Sequence, residues 1–85
     1  MVKFQHRSGL EYGLDIKTAG ELVKEALKLS GKVTMRNGSR QGDAKLIFNV
    51  MSLGIKKGDL IEFSVEGDNE EAEAGALERF VREHL

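Results

Sequence analysis

The chain has 85 residues, with thirteen Lys and Arg against fourteen Asp and Glu, a formal net charge of −1. Hydrophobic residues make up 40% and charged residues 32%, which is a globular mixture and not a disordered one. Near-neutral charge argues against general binding to nucleic acid or to an anionic membrane, and the absence of cysteine excludes disulfides, thiolate zinc sites, iron–sulfur clusters and thiol nucleophiles. The length predicts a single domain over residues 1–85, with a radius of gyration of about 12 Å. His6 and His84 lie at opposite ends without ligand spacing, so neither a metal site nor a cofactor is expected. No apolar run approaches the roughly 20 residues of a membrane span. Met1-Val2-Lys3-Phe4-Gln5 lacks the apolar stretch of a signal peptide. The expected compartment is therefore the cytoplasm, with no membrane insertion.

Val2, Phe4 and His6 alternate with Lys3, Gln5 and Arg7, the period of a strand with one wet face. Ser8 to Gly13 holds two glycines and reads as a loop. Ile16, Ala19, Leu22, Val23, Ala26 and Leu27 then recur at helical steps, predicting one apolar stripe. Two residues could cap this helix: Asp15 directly, or Thr18 in a capping box with Glu21. Gly31 suits its C-terminal cap.

Val33 and Met35 mark a second strand. Asn37-Gly38 follows, a dipeptide suited to a type I′ hairpin turn, and Ser39 to Ala44 returns as a short third strand. Lys45 to Leu53 reads as two helical turns stopped by Gly54. Six of the eight residues from Leu46 to Leu53 are apolar, more than a stripe of about 100° can bury. Val50 and Leu53, with either Leu46 or Ile47, suffice for the inside. Some of Leu46, Ile47, Phe48 and Met51 must then be exposed, which suggests a docking patch. Lys57-Gly58-Asp59 turns into a fourth strand through Leu60, Ile61, Phe63 and Val65. A last helix starts near Asn69 or Glu70, with Ala72, Ala76, Leu77, Phe80, Val81 and His84 as its stripe. The order is β-α-β-β-α-β-α. It predicts an α+β open-faced sandwich, a four-stranded antiparallel sheet with three helices on one face.

Val50-Met51-Ser52-Leu53-Gly54-Ile55, then Gly58, resembles the second-helix signature of HPr, the histidine-containing phosphocarrier of the bacterial sugar phosphotransferase system. Gly13-Leu14 and Ala19 match the start of that family's first helix. The resemblance implies a small cytoplasmic protein that docks onto larger partners. It also implies departures. The family's active loop reads G-I/L-H-A-R-P-A, and here it is Gly13-Leu14-Asp15-Ile16-Lys17-Thr18-Ala19. Asp15 stands at the phosphorylatable histidine, Lys17 at the assisting arginine and Thr18 at the proline. Leu46 stands at the regulatory serine that the paralogue Crh keeps.

A carboxylate at a helix start stays charged and is a weak nucleophile. Asp15 reads as a helix cap, as a fixed anion partly imitating a phosphorylated loop, or as an altered phosphoryl acceptor. The expected function is a regulatory, protein-docking module that carries no phosphate on histidine. The alternative is a phosphocarrier using Asp15. The candidate contact residues are Leu14, Asp15, Lys17, Leu46, Ile47, Phe48 and Met51. No nucleophile–base pair suggests an enzyme. The expected partners are proteins of the phosphotransferase or catabolite-regulation type, met by a monomer or weak dimer.

Overall fold

A computed structural model describes all 85 residues. The elements are β1 (Val2–Arg7), α1 (Ile16–Leu27), β2 (Lys32–Asn37), β3 (Arg40–Asp43), α2 (Ile47–Met51), β4 (Leu60–Glu66) and α3 (Glu70–His84). The four strands form one antiparallel sheet in the order β1-β4-β2-β3. This is the predicted open-faced α+β arrangement, because the period of two on β1, β2 and β4 leaves one apolar face to cover. Phe63 on central β4 lies opposite Phe4 on β1 and Met35 on β2. Its ring stacks on Phe4 with centroids 4.9 Å apart. Ile61, Phe63, Val65, Val33 and Met35 are buried beneath Ala19, Leu22 and Ala26 of α1, Val50 of α2 and Ala74, Leu77 and Val81 of α3. The radius of gyration is 11.4 Å, near the expectation from length.

Of the two candidate caps of α1, the structure uses Asp15. Several other local expectations are corrected. The stripe of α1 is narrower than its apolar spacing suggests. Ala19, Leu22 and Ala26 are buried, whereas Ile16 is 71% and Leu27 61% exposed. Successive residues turn about 100°. Ile16 and Leu27 therefore share a line on the helix that lies well to one side of the Ala19–Leu22–Ala26 line.

Gly31 is not a left-handed cap, for α1 ends at Leu27 with Lys28 as its cap, and Gly31 does not have positive φ. Its role is close approach. A Cβ there would stand 2.9 Å from the Glu66 carbonyl oxygen and 3.0 Å from Glu73 Oε1. The β2–β3 turn is also not type I′. Asn37 pairs with Arg40, so Gly38-Ser39 is the two-residue loop, and only Gly38 has positive φ. Type I′ needs positive φ at both positions. In α3 the buried line is Glu73, Ala74, Leu77 and Val81, while Ala72 and His84 are exposed.

Glu73 explains that shift of face. Its Oε2 accepts from the Ser30 N–H at 2.7 Å and the Ser30 hydroxyl at 2.9 Å, and its Oε1 accepts from the Gly31 N–H at 2.9 Å. These donors, the Ser30 N–H first, hold the carboxyl below the usual glutamate range against the cost of burial. The charge of α3 thus ties the loop between α1 and β2 to the core.

Candidate functional site

The loop from β1 to α1 is fixed by backbone bonds before Asp15 is reached. The buried Ser8 donates its N–H to Asp59 at 2.8 Å and accepts from the Gly58 N–H at 2.8 Å. Gly13 has φ of 80°, and a Cβ on it would meet the Ile55 carbonyl oxygen at 2.9 Å. Only glycine fits that combination. The next residue, Leu14, donates its N–H to the same Ile55 carbonyl at 3.2 Å. The chain is thereby pressed against the segment that leaves α2, and α1 packs on α2. The start of α1 and the end of α2 stand side by side.

Asp15 has extended backbone, φ −87° and ψ 172°, and begins the helix. Its Oδ1 accepts the Thr18 N–H at 2.8 Å. That bond, then the Thr18 hydroxyl and the charge of Lys17, hold the carboxyl below the usual aspartate range, with slight desolvation opposing. The carboxylate is exposed, ionised at neutral pH and bound to its own helix. Glu11 does not form a carboxylate pair with it, since Glu11 Oε2 receives Lys57 Nζ at 2.7 Å. No three His, Cys, Asp or Glu side chains are grouped to hold a metal ion.

The second helix is five residues long and shorter than its apolar run. Leu46 stands at its N-cap, makes no side-chain capping bond and is 53% exposed. Phe48 is 83% exposed and Met51 lies at the edge of exposure. Val50 is buried, and Ile47 packs partly against the core, as does Leu14. The predicted residues therefore fall into two groups. Asp15, Lys17, Leu46, Phe48 and Met51 are at the surface, while Leu14 and Ile47 support it from below. Tyr12, almost wholly exposed, together with Ile16 and Leu27, was not anticipated as surface. For Ile16 and Leu27 the signal was present, in their offset from the core line of α1. For Tyr12 it was not, because nothing in a glycine-rich loop dictates which way a ring turns.

Arg7, Arg36, Arg40 and Lys45 are each held by a hydrogen bond. Arg7 donates to the Gly58 carbonyl, Arg36 to Gln41, Arg40 to the Ser52 carbonyl and Lys45 to the Leu29 carbonyl. His84 stacks on Phe80 at 4.3 Å, and His6 is half-buried in β1 with its Nε2 unpartnered. The α1 terminus meets a carboxylate and not an imidazole.

The family model described as "PTS HPr component phosphorylation site" matches residues 3–83. The phosphocarrier protein HPr of Mycoplasma capricolum is 33% identical over 79 residues, 93% of this chain and 89% of that protein. The crystal structure of HPr-C-His from Thermoanaerobacter tengcongensis superposes with a TM-score of 0.90 at 28% identity, covering 99% of this chain and 94% of that one. Crh of Bacillus subtilis, solved as a domain-swapped dimer, gives a TM-score of 0.77 at 26% identity over 100% and 98% of the two chains. With the family model matching residues 3–83 and the fold agreeing over nearly the full length, the chain belongs to the HPr family of phosphotransferase-system phosphocarriers.

Proposed function

We propose that residues 1–85 act as one HPr-like docking domain that carries no phosphate on histidine and works by presenting a fixed anion and an apolar patch to a protein partner. The observation that carries this reading is the 2.8 Å bond from the Thr18 N–H to Asp15 Oδ1. A phosphocarrier histidine needs a free nitrogen and an open helix N-terminus to receive the phosphoryl group. Here the terminus is occupied by a permanent carboxylate of lower charge than a phosphoryl group. Beside it, Lys17, Leu46, Phe48 and Met51 supply the contact surface, with Leu14 and Ile47 beneath. Partners of this chemistry are proteins that recognise HPr or Crh: phosphotransferase enzymes, a transcription regulator or a metabolic enzyme. The protein acts in the cytoplasm as a monomer or a weak dimer.

A second reading takes Asp15 as an acyl-phosphate acceptor. It is favoured by the exposure of the carboxylate at the N-terminus of a twelve-residue helix. One experiment separates the two. The protein is incubated with phosphoenolpyruvate and the general phosphotransferase enzyme beside an HPr that retains its histidine, and intact mass is read. The expected result is modification of the control alone. A gain of one phosphoryl group that hydroxylamine removes and Asp15→Ala abolishes overturns the docking reading in favour of the carrier.

A further inference from the structure

The sheet face turned away from the helices carries a polar depression of about 240 Å³, lined among others by Lys3, Lys32, Thr34, Arg36, Glu62 and Ser64. Its floor is built by register: Thr34 stands opposite Ser64 across β2 and β4, and Lys3 stands opposite Ser64 across β1 and β4. Its cations lie around that floor. Two of its cations are in ion-pair range of a carboxylate, Lys3 at 3.9 Å from Glu62 Oε1 and the Met1 amino group beside Glu70, whereas Lys32 and Arg36 are in range of none and Arg36 donates only to the neutral Gln41 oxygen, so both keep their charge available. The cations of the lining outnumber its two carboxylates, Glu62 and Glu66, in a chain that is net negative. Met1 is the sole apolar lining residue, so the site offers nothing to an aromatic or lipid group. The volume falls below the roughly 300–1,000 Å³ of sites for drug-sized ligands.

We infer that this depression binds a small polyhydroxylated anion, of the size and chemistry of a short sugar phosphate. Lys3, Lys32 and Arg36 receive the anionic group through charge-assisted hydrogen bonds. Glu62, Thr34, Ser64 and Gln41 exchange hydrogen bonds with the hydroxyls. The carboxylates that would weaken a bare anion are useful acceptors for a ligand that also carries hydroxyls. The site lies across the sheet from Asp15 and α2, so its occupation leaves the docking face free.

The test is an NMR titration of the full chain with glycerol 3-phosphate, with glycerol and inorganic phosphate as separate arms. Binding is expected with a Kd on the order of 1 mM. Saturable shifts are expected at the amides of residues 3, 32–36 and 62–66, with weaker binding of phosphate and none of glycerol. The double variant Lys32→Gln, Arg36→Gln alters only solvent-side groups and should keep its melting temperature while binding at least about tenfold more weakly. Absence of saturable shifts, shifts centred on α1 instead, or undiminished binding by the double variant overturns the site. Equal binding of phosphate and glycerol 3-phosphate overturns the ligand class. Neither result touches the phosphorylation experiment, which reads a different face.

Discussion

Gly13 and Asp15 stand two residues apart and are constrained for different reasons. At Gly13 the constraint is steric: φ of 80° and the Ile55 carbonyl oxygen 2.9 Å from any Cβ. Gly13→Ala is expected to destabilise by about 2 kcal/mol, from left-handed strain and from displacing a backbone atom. Urea denaturation reads this directly, and an unchanged midpoint would show that the loop can move away. At Asp15 the constraint is electrostatic. Its folded pKa lies below the unfolded value of about 3.9. Its stabilisation is therefore present in full above that value and lost as pH falls through the folded one. Asp15→Asn keeps a good cap and loses the charge, while Asp15→Ala loses both. The expected order of melting temperature at pH 7 is Asp15, then Asn, then Ala, and the gap between Asp and Asn should close at acid pH. His6 is a third case. Its buried unpartnered Nε2 is a small liability, and His6→Leu is expected to stabilise by about 1 kcal/mol.

At the scale of elements, α1 is the informative one. Its two lines of apolar residues have different fates, and stability measurements distinguish them. Leu22→Ala removes a fully buried side chain and is expected to cost about 2–5 kcal/mol. Ile16→Ala and Leu27→Ala remove exposed ones and should change stability by less than about 0.5 kcal/mol. A large loss at Ile16 would mean that it is covered. The same contrast holds in α2, where Phe48→Ala should be nearly neutral for folding and Val50→Ala costly. Residues neutral for folding yet large and apolar are those whose substitution should weaken partner binding, if α2 docks as proposed. The α3 element shows the converse. Glu73 is charged, yet it occupies an inward position because Ser30 and Gly31 supply three donors.

At the scale of the whole molecule, four carboxyls are held below their ordinary values: Asp15, Asp59, Glu70 and Glu73. The main cause is a backbone N–H at Asp15, Asp59 and Glu73, donated by Thr18, Lys56 and Ser30 respectively, and the chain's amino group at Glu70. Every shift has the same sign, so the contributions are complete above the unfolded values near 4 and are lost together on acidification. The melting temperature, followed by calorimetry from pH 7 to pH 2, is expected to fall below about pH 4. A profile flat to pH 2 would show that these bonds add nothing to the native state. Far-UV circular dichroism should follow the same transition. Fluorescence of the single tyrosine should not, because Tyr12 is 99% exposed before unfolding begins.

The order of elements, the antiparallel sheet and the core positions of β2 and β4 were determined by the sequence alone. Alternation at Val33, Met35, Ile61, Phe63 and Val65 admits one buried face, and a shift of one residue would expose all of them. The presence of α1 and the surplus of apolar residues in α2 were legible for the same local reason, that periodicity acts within a few residues, whereas the choice between Asp15 and Thr18 as cap was left open by the sequence and is resolved by the structure. Three matters were decided only by tertiary structure. Gly31 was assigned to a cap because its contacts with Glu66 and Glu73 come from distant chain. Glu73 could not be read as buried, since its donors lie 42 and 43 residues away. The surface of α1 was visible only in part: the offset of Ile16 and Leu27 from its core line is in the sequence, but whether α2 or α3 covers that line is not. Local periodicity states which residues share a line along a helix. It does not state which neighbouring element covers that line, because burial is a property of two surfaces and the sequence pattern describes one.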